Sequence, residues 1–171
     1  MAIEGKFFLS DSVYSELVIF GLGSFQAFSG KDPYRNRGGC SAIPNSGPIP
    51  PGKYWILDRP EGGALSKFKT GVKDLYNRAL HDARFTHGEW FALYKDDEAV
   101  DDYTWIDGIK RGLFRLHPGQ ISEGCITLPS ESDYAAIRNL ILNTRKHSIP
   151  GARDMMSYGT IEVISYGRNC L

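Results

Sequence analysis

The sequence lacks a long hydrophobic run, an excess of charge of either sign and a closely spaced pair of cysteines. The longest apolar stretch near its start, Leu17 to Leu22, is far too short to cross a bilayer. A basic segment followed by a signal cleavage pattern is also missing. We therefore expect synthesis in the cytoplasm without a signal peptide and no membrane insertion, so that work outside the cytoplasm would need a separate carrier.

The charge balance argues against a polyanionic partner. Basic and acidic residues number 20 each, which leaves a formal net charge of 0, and no basic run is present. We expect no nucleic-acid partner and a substrate that is small or of mixed charge. Repeats and low-complexity tracts are missing too, and 171 residues suit one domain with a sizeable core. The expected domain is 1–171.

A histidine and a cysteine flank a polar turn in the segment 114–128. His117 and Cys125 are 8 residues apart, roughly 26 Å in an extended chain. Pro118-Gly119 is a strong turn signal between two short apolar runs, so a strand-turn-strand unit would bring imidazole and thiol together at one rim of a sheet. Such a pair can activate the thiol and return a proton to a leaving group. The alternative is a buried structural cysteine beside an ordinary histidine.

The remaining cysteines and histidines do not form a metal-binding pattern. The 3 cysteines, Cys40, Cys125 and Cys170, include no C-x-x-C pair, so we expect no structural zinc and no other cofactor. In an oxidising compartment, pairing of Cys40 with Cys170 would spare the candidate nucleophile. His81 and His87 lie in a polar stretch at a spacing unlike that of metal ligands, and we expect ordinary surface residues there.

Two motifs resemble a known superfamily. Ser122-Glu123-Gly124-Cys125 is similar to the Ser/Thr-His-Gly-Cys element of L,D-transpeptidase (YkuD-like) catalytic domains, although Glu123 replaces the histidine and Thr127 stands where arginine or asparagine is usual. The segment 46–56 contains Gly-Pro-Ile-Pro-Pro-Gly-Lys-Tyr, and Ser29-Gly30 follows an apolar run. Together with the short interval from His117 to the cysteine, these motifs resemble the type VI secretion effector branch of that superfamily. The resemblance spans about Phe20 to about Leu142.

The resemblance implies a peptidoglycan substrate. The Cys125 thiolate would attack the carbonyl of the L-configured centre of meso-diaminopimelate in a tetrapeptide stem, expel D-alanine and form a thioester. His117 would activate the thiol, and the backbone amides of Gly124 and Cys125 would hold the oxyanion. Water, a free D-amino acid or a second stem could then accept the acyl group. These outcomes are L,D-carboxypeptidase activity, exchange and cross-linking, and the effector branch favours the first two.

Further roles are weaker predictions. Ser122 could orient His117 or contact the stem, Arg115 could bind a stem carboxylate, and Glu123 could also contact substrate. The resemblance also implies a cognate immunity protein, delivery by a component of a secretion apparatus, and action in the periplasm of a target bacterium.

The predicted fold class is mostly β (α+β), a single-domain L,D-transpeptidase-like β-sandwich with about two helices. Residues 31 to 51 are rich in proline and glycine and predict a loop that could wall the cleft. Apolar periodicity predicts helices from Leu65 to Asp82 and from Ser132 to Lys146, the second with Ser130 and Asp133 as a capping pair and His147 at its end. Predicted strands are Leu17 to Phe20, Ser24 to Phe28, Lys53 to Asp58, Trp90 to Lys95, Leu113 to Leu116, Cys125 to Leu128 and Thr160 to Tyr166.

Two other functional classes stay open. One is a different Cys-His peptidase or amidase that acts on ordinary peptides. A papain-like enzyme is disfavoured because its nucleophile opens a helix, whereas Ile126 to Leu128 have the pattern of a strand. The other is a non-catalytic module that binds wall fragments or a protein, which Glu123 and Thr127 keep open because they alter the familiar motif.

Overall fold

The computed structural model describes residues 1–60, 85–167 and 169–171. The predicted helix from Leu65 to Asp82 and His81 lie outside these residues. The described strands are β1 (Ile3–Leu9), β2 (Ser15–Ile19), β3 (Gly23–Ala27), β4 (Gly52–Asp58), β5 (Phe91–Lys95), β6 (Tyr103–Ile106), β7 (Ile109–Gly112), β8 (Arg115–Pro118), β9 (Ile126–Leu128), β10 (His147–Ile149), β11 (Ala152–Ser157) and β12 (Gly159–Ser165). They are joined by α1 (Glu131–Leu142) and by 3-10 helices at Gly38–Cys40 and His87–Glu89.

Eight strands form one curled sheet in the order β3-β2-β1-β12-β4-β5-β8-β9. Its two edges meet where Phe28 and Thr127 exchange backbone hydrogen bonds, each 2.9 Å long. The sheet is therefore nearly closed into a barrel, which leaves little unpaired edge. The mostly β class is confirmed, but one curled sheet takes the place of the two facing sheets of the predicted sandwich.

Alternating side chains along the strands build the core. In β1 the residues at positions 3, 5, 7 and 9 are buried, and β2 and β12 alternate in the same way. Such alternation places one face of each strand inside the sheet. The interior contains Phe7, Leu17, Tyr54, Leu116 and Ile161, and α1 closes it by packing against the same cluster.

All seven predicted strands are present, with ends shifted by at most two residues. The largest shift is in β8, because Leu113 has a φ of +59° and cannot belong to a regular strand. The prediction omitted β1, β6, β7, β10 and β11. The β6–β7 hairpin has a recognisable signal, since Asp107-Gly108 joins it with positive φ at both residues.

The second predicted helix is present as α1, although it is shorter. The Ser130 hydroxyl accepts a hydrogen bond of 3.2 Å from the Asp133 N–H, which confirms the predicted cap. The helix ends at Leu142, where the Asn143 side chain bonds the Asn139 carbonyl at 2.8 Å and competes with further helical pairing. The predicted end at Lys146 is therefore wrong, as is the helix-terminal position of His147, which begins β10. In the described ranges no helix is long and apolar enough to span a membrane.

The segment 31–51 is a loop, as predicted, with one short 3-10 turn. Cys40 in that turn forms a disulfide with Cys170, which confirms the predicted pairing and leaves Cys125 free. The loop is therefore tied covalently to the C-terminal residues.

Candidate active site

Two neighbouring strands at one end of the sheet order, β8 and β9, position the predicted nucleophile and base. They are parallel neighbours, with His117 opposite Thr127 and Leu116 opposite Ile126. The predicted tight turn is therefore a return loop, because residues 119–125 must run back along β8 before β9 begins. Continuing this register by one residue sets Cys125 beside Arg115. Since alternate residues share a face, His117 and Cys125 lie on the same side of the sheet at different heights.

The imidazole of His117 is buried and held by two polar contacts. Its Nδ1 lies 2.8 Å from the Pro118 carbonyl oxygen. A carbonyl only accepts, so Nδ1 of the neutral ring carries the hydrogen and Nε2 carries the lone pair. Nε2 lies 3.2 Å from the Thr127 hydroxyl, which donates to it. The tautomer is therefore the one that a general base needs, with the lone pair directed at Thr127.

Aromatic stacking holds one face of this imidazole. Trp90 stacks on His117 with ring centroids 4.1 Å apart, and the ring centroids of His87 and Trp90 are 4.0 Å apart. Burial lowers the pKa of His117 to about 4, and the neighbouring His87 and Arg59 also lower it. His117 is therefore neutral at physiological pH. The prediction of a surface position for His87 is wrong, because the 3-10 turn folds it against Trp90.

Cys125 immediately precedes β9 and is partly exposed as a residue. Its Sγ lies 3.8 Å from the Leu113 carbonyl oxygen, to which the thiol donates. Burial raises the pKa of Cys125 to about 11, although the backbone N–H and the charge of Arg115 act in the opposite direction. The resting site thus holds a protonated thiol and a neutral imidazole. No hydrogen bond joins these two groups in the structure as described.

Backbone strain is stored next to the thiol. Leu113, whose carbonyl receives the thiol hydrogen, has a φ of +59°, and its side chain is exposed. Left-handed backbone at a non-glycine residue costs about 1–2 kcal/mol. The Leu113 N–H donates a 2.9 Å hydrogen bond to the Asp102 carbonyl, which holds the strained conformation.

Arg115 is engaged by a carboxylate of the protein itself. Its two terminal nitrogens lie 2.7 and 2.8 Å from the two oxygens of Asp102, and both side chains are mostly buried. This bidentate geometry is the strongest arrangement for such a pair. The guanidinium also donates to the Phe114 carbonyl at 2.9 Å. Binding of a stem carboxylate by Arg115 stays a prediction.

Ser122 organises the loop before the nucleophile. Its buried hydroxyl donates to the Cys125 carbonyl at 2.8 Å and accepts from the Gly30 N–H at 3.1 Å. The Gly124 N–H approaches the same oxygen at 3.4 Å. The structure therefore places Ser122 on the Cys125 loop and on the Ser29-Gly30 segment, and its hydrogen bonds within the described residues do not include His117.

Gly124 is required by its conformation and by its surroundings. Its φ is +121°, where side chains are rarely found. A Cβ at this position would overlap Nη2 of Arg111 and would lie 3.3 Å from the Gly47 carbonyl oxygen. This close packing explains the glycine before the cysteine. The oxyanion role of the Gly124 and Cys125 amides stays a prediction.

Glu123 points away from the buried site. Its carboxylate pairs with Lys31 at 2.7 Å, and the side chains of the pair are 61% and 42% exposed. This contact links the loop 31–51 to the Cys125 loop at the surface. The expectation that the long loop borders the site is consistent with this placement, while substrate contact by Glu123 stays a prediction.

Comparison with known families now adds to this geometry. The model of the Tlde1 domain matches residues 23–152, which include both motifs and all the candidate site residues. The chain belongs to the Tlde1 domain family. This is a family of type VI secretion effectors. Searches of curated proteins and of solved structures each found no significant match.

The matched region of the Tlde1 domain leaves out part of the sheet. It begins at the first residue of β3 and ends at the first residue of β11, so β1, β2 and β12 lie outside it. These three strands supply much of the core and include the parallel pair of β1 and β12. The family model therefore matches the part of the sheet that contains the candidate site and does not match the whole sheet.

Five contacts of this Tlde1 domain site were not predicted. Trp90 stacks on the imidazole and His87 contacts Trp90. Thr127 contacts Nε2, Asp102 pairs with Arg115, and Arg111 reaches the carbonyl of Glu123. Thr127 had the clearest signal in the sequence, because it departs from the superfamily pattern two residues after the cysteine. Arg111 and Asp102 lie in and beside a hairpin that the prediction omitted.

The donor set does not suggest a metal centre. Among residues 1–60, 85–167 and 169–171, no group of three or more His, Cys, Asp or Glu side chains is arranged to hold a metal ion. The described groups place a thiol and an imidazole of defined tautomer on one face of two neighbouring strands.

Proposed function

We propose that this Tlde1 domain protein is a Cys-His enzyme that cleaves the L,D bond of peptidoglycan tetrapeptide stems. The observation that carries the proposal is the placement of His117 and Cys125 on one face of two neighbouring strands, with the Nε2 lone pair on that face. The resemblance of the Ser122 to Cys125 segment to L,D-transpeptidases supports the choice of substrate. Family membership supports an effector that a type VI secretion system delivers.

The first half-reaction would form a thioester. As the Cys125 sulfur attacks the carbonyl carbon of the L-configured centre of meso-diaminopimelate, the thiol proton passes to Nε2 of His117. Because the pKa of the thiol is high and that of the imidazole is low, the proton leaves sulfur as the new bond forms. The backbone N–H groups of Gly124 and Cys125 would stabilise the oxyanion. The C–N bond then breaks, and the imidazolium gives its proton to the departing D-alanine amine.

The second half-reaction sets the named activity. Water would attack the thioester with His117 as base and release a tripeptide stem, which is L,D-carboxypeptidation. A free D-amino acid would instead replace the terminal D-alanine. We propose that trimming and exchange are the effector's activities in the periplasm of a target bacterium, and that a cognate immunity protein protects the producing cell.

The test uses a disaccharide tetrapeptide with purified protein, with and without an added D-amino acid, and reads products by mass. Wild-type protein should remove D-alanine or replace it with the added amino acid. Cys125→Ser should lose this activity and keep the thermal unfolding midpoint of the wild-type protein. A variant that remains fully active would contradict the mechanism, and cleavage of a generic L,L-peptide instead would indicate a different peptidase.

One observation favours a second candidate, a non-catalytic binding module. In this structure the imidazole contacts Thr127 and not the thiol, and the thiol is protonated. A binding module would bind the tetrapeptide stem by calorimetry, equally in wild-type protein and in Cys125→Ser, without changing its mass. Turnover that depends on Cys125 would exclude this candidate.

A further inference from the structure

Arg111 is a buried cation that the two sequence motifs share. It belongs to β7, and its side chain is only 4% exposed. Its Nη1 donates to the Ser41 carbonyl and reaches the Pro48 carbonyl at 3.4 Å. Its Nη2 donates to the Gly47 carbonyl at 3.0 Å and reaches the Glu123 carbonyl at 3.4 Å. One guanidinium therefore joins the loop 41–48 to the residues just before Cys125.

All four of these acceptors are backbone carbonyls, so the charge of Arg111 is not neutralised by them. In the part of the chain that the structure describes, no carboxylate pairs with this guanidinium. A buried charge without a counter-charge is costly. Arg115 differs, because Asp102 matches its charge with a bidentate contact.

Two ionisable groups interact electrostatically with Arg111, and of these only the Cys125 thiol gives up its proton in the reaction proposed above. These groups are the Tyr54 phenol and the Cys125 thiol. Burial raises the pKa of Tyr54 well above its usual value, and its hydroxyl donates to the Pro50 carbonyl at 2.7 Å. Tyr54 therefore stays neutral. The charged groups that face the thiol in turn are Arg115, Glu123 and Arg111.

We propose that Arg111 is a positioning residue that holds the Gly124-Cys125 backbone against the loop 41–48, and that its guanidinium is the counter-charge for the Cys125 thiolate. The importance of Arg111 for turnover rests on the function proposed above. The effect of Arg111 on the thiol does not, because ionisation of Cys125 can be followed without any substrate. A failure of this proposal can therefore be distinguished from a failure of the proposed function.

The test measures the rate of Cys125 alkylation by iodoacetamide against pH in non-reducing buffer, which leaves the disulfide of Cys40 intact. Arg111→Gln keeps amide donors and loses the charge, whereas Arg111→Lys keeps the charge and loses the forked contact. We expect the Gln variant to alkylate about tenfold more slowly below the pKa of the thiol, which corresponds to a rise of about one pKa unit. The Lys variant should stay within about twofold of the wild-type rate.

Lys110→Met is the matched control, because it removes a positive charge from the adjacent, exposed position of the same strand. It should alkylate at the wild-type rate. A folded Arg111→Gln variant whose alkylation rate is within twofold of the wild-type rate would overturn the proposal. An alkylation rate in Lys110→Met that falls as much as in Arg111→Gln would also overturn it. With active wild-type protein, stem turnover in Arg111→Gln should fall by at least the alkylation factor.

A second measurement does not depend on folding of an Arg111 variant. The chemical shift of the Arg111 Cζ carbon is followed in wild-type protein and in Cys125→Ser as the pH is raised through the pKa of the thiol. Because the two charges interact, ionisation of Cys125 should move this shift in wild-type protein, and the movement should be missing in the variant. The same pH profile in the two proteins would overturn the proposal.

Discussion

The imidazole side and the thiol side of the site are held by different means. The His117 side chain is buried, with a stacked indole on one face and its two ring nitrogens on Pro118 and Thr127. Cys125 ends a loop whose shape depends on polar contacts from distant segments, through Ser122 and Arg111. The proposed base is therefore positioned by packing within one sheet, while the proposed nucleophile is positioned by hydrogen bonds between loops. Substitutions should affect the two sides in different ways.

The largest effect is expected on the thiol side, from Gly124→Ala. The new Cβ would overlap Arg111 and would adopt a φ of +121°. We expect a loss of about 3 kcal/mol in the free energy of unfolding, from backbone strain and overpacking. Gly151→Ala is the control, since that glycine has a φ of +82° but nothing within 4 Å of a Cβ. It should lose about 1 kcal/mol. Equal losses in urea denaturation would show that the packing around Gly124 is unimportant.

On the imidazole side, the burial of His117 predicts that the folded protein loses stability in acid. Its folded-state pKa is lowered to about 4, below the usual value, so the unfolded chain binds more protons between these values. Stability should therefore fall as pH decreases from about 6.5 to about 4, by up to about 3 kcal/mol. His117→Gln should lack this part of the pH dependence. A wild-type stability profile that matches that of His117→Gln over this range would contradict the buried, neutral imidazole.

A smaller effect is expected where the two sides meet, at Thr127. Its hydroxyl contacts Nε2, and Thr127→Val removes that contact while keeping the shape of the side chain. We expect roughly tenfold slower turnover, equivalent to about 1.4 kcal/mol, with little change in the thermal unfolding midpoint. Thr127→Ser keeps a hydroxyl and should retain most of the activity. If Val and Ser variants turn over stems at the same rate, the hydroxyl does not orient the base.

The sequence predicted the parts of the molecule that depend on local pattern. Seven strands and the cap at Ser130 follow from alternation and from residue preferences within a few positions. The Asp107-Gly108 turn is also a local signal, and it identifies the β6–β7 hairpin that the strand pattern alone does not predict. A polar stretch indicates exposure, but His87 is buried because the 3-10 turn places it against Trp90.

Only the site residues that lie close together in one segment of the sequence could be predicted. Cys125, His117 and Gly124 lie within 8 positions of one another, so their pattern carries information. Arg111 contacts carbonyls that are 63 to 70 residues away in the chain, and a backbone carbonyl has no residue type to recognise. The parallel pairing of β8 with β9 also had no local signal, although it decides that Nε2 of His117 faces Thr127.

The most direct test of the central claim is the intact mass of the protein quenched in acid during turnover of a tetrapeptide stem. The account predicts a covalent adduct on Cys125, heavier by the stem without its terminal D-alanine, that hydroxylamine releases as expected for a thioester. Peptide mapping would place the adduct, and Cys125→Ser should show none. Turnover of the stem by wild-type protein with no adduct on Cys125, under conditions that trap other thioesters, would contradict the account.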